Sequence, residues 1–352
     1  MRILVVASEL PPVRSGVSRA VSEIIEGLKK KGHEVCSVSS SDVAGLKWDR
    51  IRVSAVAFRV RKILRDEGPF DVVNIHGPSP SVSDLSLLFS LLSRNAGSVV
   101  YTHHFRLEFG RKLIDFVARF YEWLIISCAH RFCKLVFTST DYANLYGGGR
   151  ESVHAIPWGV DQVEVDPKRP VKSVGEPINV LAVGQLRRYK GMAVAIEATI
   201  MANNSRLTIV GDGPLYGHFA EIASRHPDKI FLRRGVSSDE LKEIYQTNDV
   251  ILLSSRTKLE AFGLVLLEGM SFGCVPVASN LPGVRQIAED VGFLCEPNDP
   301  RSLSRIMDYL SENPEVLHTQ SSRSYLKTKD FLWSDTVLRY EQLFEKSSKV
   351  GP

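Results

Sequence analysis

Short apolar runs alternate with segments of helical period along the first part of the chain. The run 3–7 is apolar and β-branched, which predicts a strand. Residues 18–31 predict an amphipathic helix that Gly32 ends, with one apolar stripe formed by Val21, Ile24, Ile25 and Leu28. Alternation of this kind is typical of βαβ units and a parallel sheet. Further strands are predicted at 34–38, 70–75, 98–102 and 134–139, and a basic helix at 53–65.

The alternation breaks after the first half and then restarts. Glycines at 147–149 predict a loop, and 166–177 is rich in Pro, Lys and Gly without an apolar period, which predicts a linker. We therefore predict an α/β protein of two Rossmann-like, doubly wound parallel-sheet domains, 1–168 and 177–330, facing a central cleft. The later strands are predicted at 178–183, 206–210, 229–232, 250–254 and 275–278, and the later helices at 192–201, 238–246 and 263–271.

Composition narrows the class of protein. With 44% hydrophobic and 24% charged residues, the 352-residue chain is globular rather than disordered. Its five cysteines form no CxxC pair, which disfavours a disulfide framework or a zinc site and fits a reducing compartment. The apolar start is too short for the core of a signal peptide, and no run reaches the roughly 18 apolar residues of a membrane span. We expect a soluble, cytoplasmic protein.

Charge is unevenly distributed along the chain. Residues 1–135 carry 20 Lys+Arg against 13 Asp+Glu, while the remainder carries 24 against 27. Either the basic half meets an anionic acceptor or the inner membrane face, or its charges are scattered and solvated. The apolar, basic segment 106–135 is interpreted first as a buried core helix and second as a peripheral membrane-docking helix. Nucleic acid is disfavoured as a partner, because no dense Lys/Arg tract carries interleaved aromatics.

Unusual residues follow several predicted strands, where ligands bind in open parallel sheets. Gly16 precedes the first helix, and a glycine there lets backbone N–H groups approach a phosphate. The spacing is not GxGxxG, which disfavours a nicotinamide dehydrogenase. His103 follows the strand at 98–102, and 184–191 holds three cations between two glycines, suited to neutralising a diphosphate. The alternatives are a loop glycine, a structural histidine and a solvated basic turn.

The strongest motif is EAFGLVLLE at 260–268. Glu260 precedes a predicted helix, and Gly263 and Leu264 are expected to offer N–H groups at its first turn. Glu268 lies about two helical turns further on, so it projects on roughly the same side. Carboxylates accept hydrogen bonds from the vicinal hydroxyls of a sugar or a ribose. A capping acid followed by a surface acid is the alternative.

Together, in this order and spacing, the motifs resemble the family 4 retaining glycosyltransferases, which have the GT-B fold. The likeness covers nearly the whole chain. It rests on Gly16, DVVNIH at 71–76, Thr102-His103, IPWGVD at 156–161, VGQL at 183–186 with Lys190-Gly191, GDGP at 211–214, Glu260 with Glu268, GCVP at 273–276, Pro282-Gly283, and Gly292 with Pro297.

The resemblance implies a role for each matching residue. Glu268 would hold the donor ribose, Glu260 the hydroxyls of the transferred sugar, and Lys190 the diphosphate. The resulting candidates are His103, Lys190 and Glu260 as catalytic residues, and Gly16, Arg188, Lys190, Phe262, Gly263, Leu264 and Glu268 as donor-binding residues. The family commonly has an arginine where Gln185 stands, so either Arg187 or Arg188 replaces it. In GT-B proteins an amphipathic helix such as 331–346 crosses back, which assigns 331–352 to the first domain.

The function implied is transfer of a hexosyl unit, with retention, from a nucleoside-diphosphate sugar to a glycan, lipid-linked or other hydroxyl acceptor. No metal or cofactor is expected, and the nucleotide sugar is a co-substrate. No Asp or Glu has an obvious nucleophile's place, unlike the paired acids of retaining hydrolases. The resemblance implies front-face attack, in which the leaving phosphate accepts the proton of the acceptor. The alternatives are another GT-B activity, such as a nucleotide-sugar epimerase, and a non-catalytic nucleotide-sugar-binding protein.

Overall fold

The computed structural model describes residues 1–13, 15–40, 55–109, 111–164, 171–260 and 262–348, together with the backbone of 45–48 and 51–54. The chain divides into two units. The first comprises Met1–Gly159 with Trp333–Pro352, and the second comprises Val160–Leu332. Residues 165–170, which include the start of the predicted linker, and residues 349–352 lie outside the described residues.

The boundary between the units differs from the one predicted at 168. Val160 already belongs to the second unit, because its N–H donates to the carbonyl of Phe331 at 2.8 Å. The Tyr325 hydroxyl likewise donates to the carbonyl of Val163 at 3.0 Å. These hydrogen bonds fix the start of the second unit before the Pro- and Lys-rich stretch that marks the linker in the sequence.

The first unit is built on a six-stranded parallel sheet in the order β2-β1-β5-β6-β7-β8, with a separate antiparallel hairpin β3-β4. Its strands are β1 Arg2–Ala7, β2 Glu34–Ser39, β3 Gly45–Trp48, β4 Ile51–Ser54, β5 Phe70–Gly77, β6 Ala96–His103, β7 Lys134–Phe137 and β8 Val153–Ala155. Its helices are α1 Gly16–Lys30, α2 Val56–Asp66, α3 Ser83–Leu92, α4 Lys112–Phe132, α5 Thr140–Leu145 and, from the end of the chain, α13 Trp333–Ser348.

Helices cover both faces of this sheet. The predicted stripe of α1 is buried and packs with α13 against one face. Apolar residues of α2, α3 and α4 pack against the other face. The prediction of a helix from residue 53 is wrong at its start, because 51–54 form β4 and the helix begins at Val56.

Helix α4 differs from its prediction as a buried core helix. The large apolar side chains of this segment are all exposed, namely Leu113, Phe116, Phe120, Trp123 and Leu124. The buried face of α4 instead includes Ala118, Ile126 and Ala129, of which Ile126 and Ala129 pack into the core against the sheet. Among the described helices, none combines the length and hydropathy that a membrane crossing requires.

The second unit holds a further six-stranded parallel sheet in the order β11-β10-β9-β12-β13-β14. Strand β9 (Ile178–Val183) and helix α6 (Met192–Met201) have the predicted bounds. The α/β class with two parallel sheets is confirmed. The strands are β9 Ile178–Val183, β10 Ser205–Val210, β11 Ile230–Arg233, β12 Val250–Leu253, β13 Val275–Ser279 and β14 Phe293–Cys295. The helices are α6 Met192–Met201, α7 Tyr216–Arg225, α8 Ser238–Thr247, α9 Leu264–Ser271, α10 Arg285–Ala288, α11 Pro300–Glu312 and α12 Pro314–Lys327.

Candidate active site

The second sheet reverses its strand order between β9 and β12. Strands β10 and β11 lie on one side of β9, and β12, β13 and β14 lie on the other. The connections leaving β9 and β12 therefore diverge at their carboxyl ends. Ligands of open parallel sheets bind at such a point. The segment with Lys190 follows β9, and the segment with Glu260 follows β12. The topology therefore brings together two predicted site residues that lie 70 positions apart in the sequence.

A short 3₁₀ turn, Arg188–Lys190, positions the lysine. The backbone N–H of Arg256 donates to the carbonyl of Tyr189 at 2.7 Å, and the Ser254 hydroxyl donates to the carbonyl of Gly191 at 3.0 Å. Gly191 has φ 69°, and a Cβ at this position would lie 1.7 Å from the Ser254 carbonyl oxygen. Only glycine fits such a left-handed, closely approached position. The turn is thus fixed against the end of β12.

Lys190 and Glu260 form an ion pair. The Lys190 Nζ donates to Glu260 Oε2 at 2.6 Å, and the Ser255 hydroxyl donates to the same oxygen at 2.8 Å. The two side chains are 15% and 10% exposed, so the pair is largely screened from water. Charge-assisted hydrogen bonds of this kind are stronger than neutral ones. Each partner can also bind part of a ligand, since the Lys190 ammonium can bind a phosphate and the Glu260 carboxylate can accept hydrogen bonds from hydroxyls.

Helix α9 begins beside this pair and presents its amino terminus. Gly263 occupies the N-cap with φ 92°, and the first turn, starting at Leu264, contains no acidic residue. Gly263 has no side chain with which to cap the helix, so the first-turn N–H groups and the positive end of the helix dipole suit an anion. The Phe262 side chain is buried, which anchors the residue before the cap.

The carboxylate of Glu268 is held further along α9. The Tyr245 hydroxyl donates to Glu268 Oε2 at 2.8 Å, and the Tyr245 ring stacks on Phe272 with the centroids 5.5 Å apart. Glu268 is partly buried. The supporting residues Tyr245 and Ser255 were missed in the sequence. Ser255 could have been found, since it directly follows a predicted strand, whereas Tyr245 lies on α8 and only the tertiary fold brings it to Glu268.

Of the two arginines considered as phosphate ligands, Arg188 lies on the turn that holds Lys190, and Arg187 directly precedes it. Arg188 is exposed, and Arg187, the residue before the turn, is partly buried. In the first unit, Gly16 is the first residue of α1. The Ser15 hydroxyl caps this helix by accepting from the N–H of Ser18 at 3.0 Å. The structure thus places both predicted glycines, Gly16 and Gly263, at helix starts.

His103, at the end of β6, is enclosed by side chains. Its ring is 1% exposed and packs against Phe137 and Tyr146, with centroids 5.7 and 5.4 Å away. Neither ring nitrogen has a hydrogen-bond partner among the described residues, and the nearest carboxylate oxygen, on Glu122, lies 3.7 Å from Nε2. Burial lowers the pKa of His103 to about 3 and raises the pKa of Glu122 to about 7. The imidazole is therefore neutral at physiological pH.

Two further buried histidines lie near His103. The Asn74 amide donates to His76 Nε2 at 3.0 Å, and His76 Nδ1 lies 3.0 Å from His104 Nε2. This sequence of contacts assigns the His76 proton to Nδ1, from which it is donated to His104. Burial lowers the pKa of His76 to about 3 and that of His104 well below its usual value. We call His76, His103 and His104 the histidine cluster.

Metal binding is not expected from the sequence. Within the part of the chain that the structure describes, no three His, Cys, Asp or Glu side chains are placed to hold a metal ion. Metal-independent activity stays a prediction.

Comparison with known proteins identifies the family. Residues 14–163 match Glycosyltransferase Family 4, and residues 165–327 match Glycosyl transferases group 1. The two matches follow one another along the chain, one in each half. The chain belongs to the GT-B glycosyltransferases of family 4. It is thus a transferase of glycan biosynthesis.

Individual relatives of this glycosyltransferase resemble it over most of its length. O-antigen chain mannosyltransferase C of Escherichia coli is 25% identical over 96% of each chain. D-rhamnosyltransferase WbpZ of Pseudomonas aeruginosa is 26% identical over 70% of this chain and 65% of the relative. Among solved structures, Anabaena HepE in complex with UDP-glucose has a TM-score of 0.70 at 15% identity, covering 98% of this chain and 100% of HepE. This structural likeness shows the fold.

Proposed function

We propose that this glycosyltransferase moves a hexosyl unit from a nucleoside-diphosphate sugar to a hydroxyl of a glycan or lipid-linked acceptor, with retention of configuration. The observation that carries the proposal is the Lys190–Glu260 pair, 2.6 Å apart at the strand-order reversal, beside the amino terminus of α9. A mannosyltransferase among the relatives and a UDP-glucose complex of the same fold support a hexose on a nucleotide.

Donor binding would use the carboxylate of Glu268 together with two positive groups, the Lys190 ammonium and the amino terminus of α9. The carboxylate accepts from the ribose hydroxyls, as vicinal hydroxyls require. The diphosphate lies against the amino terminus of α9, where the backbone N–H groups of Gly263 and Leu264 face it. Its charge draws Lys190 away from Glu260, with Arg187 or Arg188 as a second cation. Glu260 then exchanges an ammonium partner for hydroxyls of the transferred sugar.

Turnover would depend on charge stabilisation at the leaving group. As the bond between the anomeric carbon and the phosphate oxygen breaks, negative charge grows on the diphosphate and positive charge on the sugar. Lys190 and the α9 amino terminus stabilise the diphosphate, while Glu260 orients the sugar and offsets its charge. The acceptor oxygen attacks from the side on which the diphosphate departs, and a phosphate oxygen takes its proton. The nucleotide sugar is the co-substrate, and no metal or cofactor takes part in the proposal.

Gly16 and His103, which belong to the first unit, stay candidates on the family resemblance. The backbone of Gly16, at the start of α1, suits close approach of a phosphate or sugar. His103 is neutral, so it would act as a hydrogen-bonding group rather than a cation. Because its ring is enclosed by Phe137 and Tyr146, contact with a sugar requires those rings to move aside.

The test is acceptor-dependent release of nucleoside diphosphate, followed by NMR of the anomeric proton of the product. The proposal expects release only when an acceptor is present and a product with the donor's configuration. An inverted product would contradict retention. Conversion of the donor without an acceptor would favour an epimerase, and tight donor binding without conversion of any acceptor would favour a non-catalytic nucleotide-sugar-binding protein. The Glu197→Gln variant changes an exposed position of α6 and should behave like the wild type in this test, so it is the matched control for glutamine substitutions of Glu260 and Glu268.

A further inference from the structure

Helix α4 carries a continuous stripe of exposed, large apolar side chains. Six of them, each between 52% and 77% exposed, follow the spacing i, i+3, i+4, i+7, i+10 and i+11 of one helical face. The helix has 21 residues and so spans about 30 Å. We call Leu113, Phe116, Val117, Phe120, Trp123 and Leu124 the α4 stripe.

The stripe faces outward because the opposite side of α4 is already packed. Ala118, Glu122, Ile126 and Ala129 are buried, and Ile126 and Ala129 belong to the core beneath the sheet. Turning the stripe inward would expose that core. Isolated surface apolar residues are ordinary, but a contiguous patch of this kind marks an interaction site.

The charges around the stripe are cationic. Lys112, Arg119 and Arg131 are exposed on α4. The two acidic residues of the helix are turned to the backbone of the preceding loop. Asp115 accepts from the N–H of Phe109 at 2.6 Å, and Glu122, which is buried, accepts from the N–H of Leu107 at 2.7 Å. The exposed face therefore combines large apolar groups with positive charge, as helices that lie in an anionic membrane interface do.

A cavity of about 370 Å³ adjoins the stripe at Trp123. Arg106, Arg119, Arg150 and His130 line it, against the single buried carboxylate of Glu122. Guanidinium groups bind phosphate through paired N–H donors. The cavity thus offers phosphate-binding groups at the border of the apolar surface, where a phospholipid head group lies beside its acyl chains.

We propose that the α4 stripe and this arginine-lined cavity dock the protein on an anionic phospholipid bilayer. The aromatic and aliphatic side chains enter the boundary between head groups and acyl chains, and the surrounding cations bind lipid phosphates. A second copy of the chain is a poorer occupant, because a two-fold interface would set the cations around one stripe against those around the other. This docking goes beyond the proposed reaction and does not depend on which acceptor is used.

Trp123 provides a native reporter of docking. Among the tryptophans whose side chains the structure describes, Trp123 is 61% exposed, whereas Trp158 and Trp333 are buried. With vesicles containing phosphatidylglycerol, we expect its emission to shift to shorter wavelength and to be quenched by brominated acyl chains. Vesicles of phosphatidylcholine alone should leave the emission unchanged. The Trp123→Phe variant should lose the shift yet still sediment with the anionic vesicles, which assigns the signal to this residue.

Variants separate the apolar and the cationic contributions. Phe120→Ser should lower partitioning onto anionic vesicles at least about tenfold, from the loss of one buried aromatic side chain. The double variant Arg119→Gln with Arg131→Gln should lower it roughly thirtyfold, at about fivefold for each cation near the surface. Matched controls in the second unit, Leu326→Ser and Arg225→Gln, also change exposed residues and should bind like the wild type. Salt at about 1 M, where the Debye length is about 3 Å, should weaken binding of the wild type.

Three results would overturn the proposal. The first is no binding of the wild type to anionic vesicles at low salt. The second is binding that the Phe120 and arginine substitutions leave unchanged. The third is concentration-dependent dimerisation without lipid that Phe120→Ser abolishes, which assigns the stripe to a second copy. Turnover of the same variants on a soluble acceptor, with thermal melts to verify folding, separates failed docking from failure of the proposed reaction.

Discussion

Substitution of Glu260 by glutamine tests the proposed division of roles within the donor site. Glu260 Oε2 lies 2.6 Å from Lys190 Nζ and 2.8 Å from Ser255 Oγ, and a glutamine oxygen still accepts from both. The fold is therefore expected to survive the change. A hydrogen bond to a charged group contributes about 1.5–3 kcal/mol, so loss of the charged contact to the migrating sugar should lower kcat about 10- to 150-fold.

Binding of the nucleotide should respond differently from turnover. In the wild type the diphosphate must draw Lys190 away from a carboxylate, whereas in Glu260→Gln it competes only with an amide. We therefore expect the affinity for the nucleoside diphosphate alone to be retained or increased in this variant. Glu268→Gln should chiefly raise the donor KM, because its contact with the ribose is similar in the ground and transition states.

The assay combines donor-saturation kinetics, calorimetric titration with the nucleoside diphosphate, and thermal melts for each variant. Glu197→Gln, on an exposed position of α6, is the control and should match the wild type. If Glu260→Gln raises the donor KM with kcat unchanged and Glu268→Gln does the reverse, the two roles are inverted. If neither change alters the kinetics, the donor does not bind at this site.

Three further predictions concern stability, backbone geometry and metal. Because the histidine cluster has lowered pKa values, its contribution to the free energy of unfolding is present above pH 6.5 and is lost towards pH 3. The raised pKa of Glu122, about 7, gives a contribution present below pH 4.5 and lost as the pH rises through 7. Each group changes the free energy of unfolding by at most about 1.4 kcal/mol per pH unit, so the loss from three histidines exceeds the gain from one carboxylate as the pH falls. Melting temperatures should therefore fall from pH 6.5 to 5, and a rise would contradict this. Gly191→Ala should destabilise the protein by at least about 2 kcal/mol, because its Cβ would meet the Ser254 carbonyl. Gly235 has a similar φ but open space around it, so Gly235→Ala should destabilise the protein by only about 1 kcal/mol. Equal denaturation midpoints of the two variants would refute the clash. Turnover should persist in excess chelator, and a loss that added metal restores would count against the proposed role of Lys190 as the principal counter-charge.

Local sequence patterns predicted much of the fold because they report local physics. The apolar run of β9 and the helical period of α6 gave their bounds directly. The pattern of α4 shows the limit of such reasoning. A helical period identifies one apolar side, but the side of α4 that packs into the core carries Ile126 and Ala129, while Phe116, Phe120 and Trp123 face outward.

The sequence motifs name the candidate site residues one by one, but they do not predict their arrangement. Lys190 and Glu260 were recognised from their motifs, yet their contact depends on β12 pairing with β9, which no local pattern encodes. The Tyr245 hydroxyl on Glu268 depends on the packing of α8 in the same way. The enclosure of His103 also arises from distant elements, since β7 supplies Phe137 and the residue after α5 supplies Tyr146.

The central claim is that the group formed by Lys190, Glu260 and Glu268 binds a nucleoside-diphosphate sugar. The most direct measurement is a thermal-shift screen of nucleoside diphosphates and their sugars against the wild type, Lys190→Ala and Glu268→Gln. We predict that one nucleotide series stabilises the wild type, by about 2.7 kcal/mol at a hundred times its Kd, and that both variants lose most of this stabilisation at the same concentration. Stabilisation of all three proteins to the same extent, or of none of them by any nucleotide, would contradict the claim.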